Sequence, residues 1–199
     1  MRAELITQHP DFRALASIPG LAVDLRYASA RNFVGRNLYG EADCAWLHRE
    51  AADGVQAALS SLARAHPQLQ LVVLDALRPH RVQVALWEHL KDTDLRQYLA
   101  DPARVSIHSY GMAVDVTLLH DNGTELDMGT GFDALSLVSH PEHEAKHLQQ
   151  GLLTPTHIAN RLALRDAMVG SGFQAIDTEW WHFDFGDRDR VRREFVRVE

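Results

Sequence analysis

The sequence predicts an α+β fold, with helices packed around a small, mainly antiparallel sheet. Three observations lead there. Runs of strand length and runs of helical period are both present, but they do not alternate in strict βαβ order. The turn signal Asp121-Asn122-Gly123-Thr124 separates one strand pattern from the short Glu125-Leu126-Asp127-Met128, which predicts a hairpin and antiparallel pairing. A length of 199 residues without a visible linker predicts a single domain over 1–199, long enough to bury a substantial core.

Each element has its own signal. Residues 21–27 alternate apolar and polar side chains and read as a strand, followed by a loop over about 28–41 rich in Asn, Gly and Tyr. Loops of that length are often functional. Over 42–65, apolar residues recur at Trp46, Val55, Ala58, Leu59 and Leu62, a helical period with one tolerated glycine, Gly54. Residues 69–76 form a nearly continuous apolar run of strand length, and its ending at Leu77-Arg78-Pro79 puts Arg78 at a strand terminus. Helices are expected over about 80–90 and, shorter, over 94–99. A strand over 112–119 would turn Ala113 and Asp115 to one face and Val114 and Val116 to the other. A long helix starting near Thr156 runs through Ile158, Leu162, Leu164, Ala167 and Met168, capped by Gly170-Ser171-Gly172. Residues 181–185 complete the core as a last strand.

Composition narrows the class of function. With 46% hydrophobic and 24% charged residues, the chain is neither disordered nor a membrane protein in composition. A net charge of −7 and a pI near 5.9 argue against nucleic acid as a partner and for a small or neutral ligand. Cys44 is the only cysteine, so no intramolecular disulfide and no Cys-rich zinc site is available, and its apolar neighbours in a helical pattern make it a packing residue. The first ten residues carry an early acid and no apolar h-region, and no segment approaches a membrane span of about 20 apolar residues. The expectation is a soluble, cytoplasmic protein, or a periplasmic one if a leader was removed. Oligomeric state is not readable.

The chemistry concentrates in two short segments. Ser106-Ile107-His108-Ser109-Tyr110-Gly111-Met112-Ala113-Val114-Asp115 and Glu179-Trp180-Trp181-His182 together offer a His/Asp/His ligand set and a spare carboxylate. Catalytic zinc takes three such protein ligands and leaves one position for water, beside which Glu179 would act as base. Asp115 lies among Met112, Ala113, Val114, Val116 and Leu118, where a carboxylate is costly to bury without a partner. In a regular strand positions 179 and 182 point to opposite faces, so Glu179 must lie in a bend before the strand. Arg78 either meets a substrate carboxylate or an oxyanion, or forms a salt bridge to an acid such as Asp75. A rival motif, His143-Glu144-Ala145-Lys146-His147, is a literal HExxH. Its surroundings, Pro141, Glu142, Lys146, Gln149 and Gln150, are polar, so His143 and His147 are expected to be surface residues able to bind adventitious metal.

With SxHxxGxAxD and ExxH in order behind an Arg-Pro strand end, the chain resembles the zinc D-Ala-D-Ala dipeptidases of the VanX type, which are related to D,D-carboxypeptidases. The resemblance runs from about residue 24 to 185. It takes in Asp24-Leu25-Arg26-Tyr27-Ala28, Asn32-Phe33, Asp75-Ala76-Leu77-Arg78-Pro79, Met128-Gly129-Thr130-Gly131-Phe132-Asp133, Ser139-His140 and Asn160-Arg161 before Gly172-Phe173. It implies a D,D-peptidase/hedgehog-like zinc fold with one zinc ion per chain and a small dipeptide as substrate. His108, Asp115 and His182 match the zinc ligands, Glu179 the general base and Arg78 the transition-state arginine. Ser106 matches a contact to the substrate carboxylate, Asp133 the acid that receives its free ammonium, and Tyr27 a tyrosine lining the pocket. The implied activity is hydrolysis of D-Ala-D-Ala or a similar D,D-dipeptide. The alternatives are a D,D-carboxypeptidase acting on longer cell-wall peptides and an inactive zinc-stabilised binding domain. Two stretches depart from the family: Tyr39-Gly40-Glu41 has its tyrosine before the glycine and Glu where the family can carry tyrosine, and residues 139–150 are more polar than a pocket rim.

Overall fold

A computed structural model describes residues 1–99 and 101–199. In chain order the strands and α-helices are β1 (Phe12–Ala14), β2 (Ala22–Val23), β3 (Trp46–His48), α1 (Arg49–Ala65), β4 (Leu69–Asp75), α2 (His80–His89), β5 (Ala113–His120), α3 (Glu144–Gln149), α4 (Pro155–Val169), β6 (Phe173–Ala175), β7 (His182–Phe185) and α5 (Arg188–Glu194). The main sheet has the order β2-β4-β5-β7-β6, antiparallel throughout except for the parallel pair β2/β4. A second, two-stranded sheet pairs β1 with β3. The α+β class with a mainly antiparallel sheet is therefore what the chain adopts.

The period of two along β5 and β7 divides the sheet chemically. Val114, Val116 and Leu118 of β5 and Phe183 of β7 join Leu71 and Val73 of β4 in the apolar core with Ala51, Val55, Ala58 and Leu62 of α1 and Leu164 and Met168 of α4. Asp115, His182 and Asp184 occupy the alternate positions. Gly54 explains itself here: a Cβ at that point of α1 would lie 2.5 Å from Phe185 and 2.9 Å from Phe173. The glycine lets α1 descend onto β6 and β7, at a helix-propensity cost of about 1 kcal/mol relative to alanine. The last residues form a strap under the site, since Val198 donates its N–H to Ser109 O at 2.8 Å and its carbonyl accepts from His80 N at 2.8 Å.

Several sequence expectations are revised. The strand over 21–27 shrinks to Ala22–Val23, because after the bond from Asp24 N to Val73 O the chain enters a 3₁₀ turn, Arg26–Ala28, that buries Tyr27. The helix expected from 42 begins at Arg49, because Trp46–His48 pairs with β1 instead. Cys44 is buried packing, as expected, but in the loop before β3. The 94–99 helix is a 3₁₀ turn, Asp94–Tyr98. After the turn at 121–124 the returning arm makes one bridge, Leu119↔Glu125, and no strand. Strands β1, β3 and β6 have no counterpart in the sequence reading. Among the described residues no helix is long and apolar enough to cross a membrane.

Candidate active site

Neighbouring strands bring the site together at one level of the sheet. In the ladder Asp75 of β4 stands opposite Asp115 of β5, which stands opposite His182 of β7. A bulge between Val73 and Asp75 shifts the end of β4 and re-aims Asp75. His108 enters from the 3₁₀ turn Ile107–Tyr110, which ends at Gly111 in the left-handed region at φ 66°. A Cβ at Gly111 would stand 2.7 Å from His48 N, so both the turn and the approach of β3 require glycine there.

The donor atoms meet tightly. His108 Nε2 is 3.1 Å from His182 Nδ1, His182 Nδ1 is 3.0 Å from Asp115 Oδ1, and His108 Nε2 is 3.3 Å from Asp115 Oδ1. Ligands at about 2.0–2.1 Å from a tetrahedral zinc stand about 3.3 Å apart. The other ring nitrogens fix the tautomers that this pattern assigns. His108 Nδ1 donates to Ala76 O at 2.8 Å and His182 Nε2 donates to Asp184 Oδ1 at 2.9 Å. Both remaining lone pairs then face Asp115 Oδ1. A proton satisfies one pair of these atoms, whereas a metal ion satisfies all three, so the residues present fit a zinc-type ion.

Carboxylates support the donor groups from behind. Asp184 accepts from His182 and from Arg188 Nε at 2.6 Å. Burial opposes charge on His182, but Asp184 and Asp115 outweigh it and raise the proton affinity of the ring well above the ordinary value. Such support increases the basicity of a metal-ligating imidazole. Burial also works against ionised Asp115, and His108 and His182 reverse that and hold its carboxyl far below the usual range.

Glu179 lies in the bend before β7, as the geometry of the motif required, with Oε2 4.0 Å from His182 Nδ1. Burial raises its pKa, and His182 only partly offsets this. Arg78 is 7% exposed and joins both sequence-based alternatives. Its Nε donates to Asp75 Oδ2 at 2.7 Å, Nη1 to Gln83 Oε1 at 3.1 Å, and Nη2 to the outer oxygen of Asp115 at 3.0 Å. The salt bridge to Asp75 and a place on the site wall are thus one arrangement. Arg78, Ser106, His108, Glu179 and His182 all line a cleft of about 970 Å³. Ser106 heads the His108 turn without capping it by its side chain.

Tyr27 and Asp133 do not line that cleft but lie behind Arg78. The Arg78 guanidinium stands 4.9 Å from the Tyr27 ring centroid, and Tyr27 donates its hydroxyl to Asp133 Oδ1 at 3.0 Å. Asp133 Oδ2 is buried without a partner among the described residues, and burial pushes the carboxyl well above its usual pKa. Tyr39 is buried and donates to Asp75 Oδ1, so it braces the acid that holds Arg78, while Glu41 faces solvent. The departure at 39–41 therefore bears on the support of Arg78.

The HExxH segment takes a different course. His143 is the N-cap of α3, and its ring meets that of His147 edge to face, with centroids 5.9 Å apart and planes at 88°. Glu144 is engaged by Arg165 at 2.7 Å and by Arg161 at 3.4 Å. The expectation that both histidines are surface residues is corrected for His147, which is 5% exposed because α3 packs it inward. Asp184, and the contact by which Tyr39 braces Asp75, were not foreseen from the sequence. An acid between Phe183 and Phe185, two positions after a ligand and on the same strand face, was the available signal for Asp184.

The Peptidase_M15 family model, described as D-ala-D-ala dipeptidase, matches residues 10–199. The D-alanyl-D-alanine dipeptidase of Escherichia coli (strain K12) is 39% identical over 166 residues, 83% of this chain and 79% of the relative. That of Streptomyces coelicolor is 29% identical over 187 residues, covering 83% and 86% of the two chains. The solved structure of the LdcB LD-carboxypeptidase covers 92% of this chain and 72% of its own at 16% identity and a TM-score of 0.47. On the family match across 10–199 and the relative at 39% identity, the chain belongs to the D-Ala-D-Ala dipeptidase family of peptidases.

Proposed function

We propose that this peptidase is a zinc-dependent D,D-dipeptidase acting, as one catalytic domain over 1–199, on D-Ala-D-Ala or a similar dipeptide with free termini. The observation that carries the reading is the convergence of His108 Nε2, His182 Nδ1 and Asp115 Oδ1 beside Glu179. Zinc held by these three groups would supply Lewis acidity and a water of pKa near about 7.

The residues account for the remaining steps. Glu179 takes a proton from the attacking water as its oxygen bonds to the peptide carbonyl carbon, then delivers that proton to the leaving nitrogen as the C–N bond breaks. Its half-buried carboxyl, with a raised pKa, suits both halves of that exchange. Arg78, held by Asp75 and Gln83, offers a fixed positive charge to the oxyanion without reorganising. Ser106 receives the substrate carboxylate. Asp133 is the acid the family resemblance offers for the ammonium, but it lies behind Arg78 and off the cleft wall. The amino end of the dipeptide therefore has to pass Arg78 to reach the oxygen that has no partner among the described residues, while Tyr27 fixes the other oxygen.

A competition assay tests this assignment with D-Ala-D-Ala, L-Ala-L-Ala and N-acetyl-D-Ala-D-Ala on the zinc-loaded protein. D-Ala-D-Ala should be cleaved and the other two spared. Comparable cleavage of the acetylated compound would move the assignment to a carboxypeptidase, and no cleavage of any would move it to a binding domain.

A further inference from the structure

The segment that the catalytic reading leaves unused carries a second constellation. After Ser139 the chain makes a 3₁₀ turn, Pro141–His143, with His140 at its N-cap. A 3₁₀ turn has three residues per revolution, so side chains three apart eclipse one another. His140 and His143 obey this: their rings stack with centroids 5.6 Å apart and planes at 14°. Glu142 closes the group, its Oε1 lying 3.4 Å from His140 Nδ1 and 3.7 Å from His143 Nε2. One ligand atom from each of the three residues lies within 4.8 Å of the others. Beside them His147 is 5% exposed, and its Nδ1 is buried without a hydrogen-bond partner among the described residues. Glu142 is within hydrogen-bonding distance of His140 Nδ1 alone, and two imidazoles with a carboxylate between them are also a common zinc donor set.

We propose that His140, Glu142 and His143 form a second binding site for a divalent transition-metal ion of the zinc type, distinct from the His108/Asp115/His182 site. The two sites share no residue. Glu142 and His143 have side chains 46% and 36% exposed, free to rotate from the present separations to coordination distances. The turn is tied to the segment bearing Glu179, since Trp180 N donates to Ser139 O at 3.2 Å and Glu142 N to Asp177 O at 3.4 Å. An ion bound here stiffens the turn from behind that segment.

Metal stoichiometry tests the proposal without reference to turnover. The full chain is stripped with chelator, reloaded with Zn²⁺, passed through gel filtration and assayed for retained zinc, alongside a Glu142→Gln/His143→Ala chain and a His108→Ala chain. Circular dichroism confirms that each variant is folded. The double substitution should lower the retained zinc by one equivalent, and His108→Ala should leave that equivalent in place. Equal retention by the wild type and the Glu142→Gln/His143→Ala chain, including the case of an adventitious ion only that gel filtration removes, would overturn it. Loss of zinc from the His108/Asp115/His182 site registers separately in the His108→Ala chain.

Discussion

Glu144 and Glu179 each stand three residues ahead of a histidine, in Glu144-Ala145-Lys146-His147 and Glu179-Trp180-Trp181-His182, but their surroundings differ. Glu144 is on a helix, where it neutralises Arg161, a guanidinium 1% exposed, together with Arg165. Its charge is consumed by structure. Glu179 lies in a bend at the cleft, close to the three converging donors, with its pKa raised by burial. A paired carboxylate makes a poor base, and an unpaired one in a partly dry cleft makes a good one. The spacing of a motif therefore says less than which charged groups the carboxylate touches.

Substitutions can break or sharpen this contrast. The largest effect is expected for His182→Ala, which removes one of the three donors and leaves Asp115 with only His108 and Arg78 as partners. Zinc should be lost from this site and turnover should fall to background, as metal analysis and a D-Ala-D-Ala assay would read. Retained zinc and turnover would remove the convergence argument. Next is Arg78→Ala, with an expected loss of about 10²–10³ in kcat, comparable to removing one oxyanion donor. It should also destabilise the fold, because Asp75 and Asp115 lose their shared cation. An unchanged kcat in a folded variant would reduce Arg78 to its salt bridge.

Smaller effects separate support from chemistry. Asp184→Asn keeps the shape behind His182 but not the charge, and zinc affinity should drop by about 10–100-fold, measured by competition with a chelator. Glu144→Gln should leave kcat unchanged while lowering stability by about 3 kcal/mol in denaturant unfolding. The cost stays near that size because Arg161 still donates to Met128 O at 2.8 Å and Val138 O at 3.1 Å. A loss of turnover there, with no loss of stability, would exchange the roles of the two glutamates.

The features legible in the sequence were those with strong local signals. Asp115 in an apolar strand and the bend needed before His182 could both be inferred from neighbours, and the structure brings these groups together with His108. Strands β4, β5 and β7 and helices α1 and α4 were legible because long apolar patterns bury one face. The short strands β1, β3 and β6 were not, since three residues carry too little period and their pairing depends on distant partners. The same limit hid Tyr39, whose partner Asp75 is 36 residues away. Gly54 looked tolerated in a helix because the rings of Phe173 and Phe185 that require it lie far along the chain.

The central claim is that the three-donor site and Glu179 do separate work, one holding the metal and the other moving the proton. Zinc-reconstituted Glu179→Gln tests it, with zinc content and kcat for D-Ala-D-Ala measured on the same preparation. The account predicts zinc retained at the wild-type level and kcat lowered by about 10²–10⁴-fold. Turnover near the wild-type rate with zinc in place would contradict it.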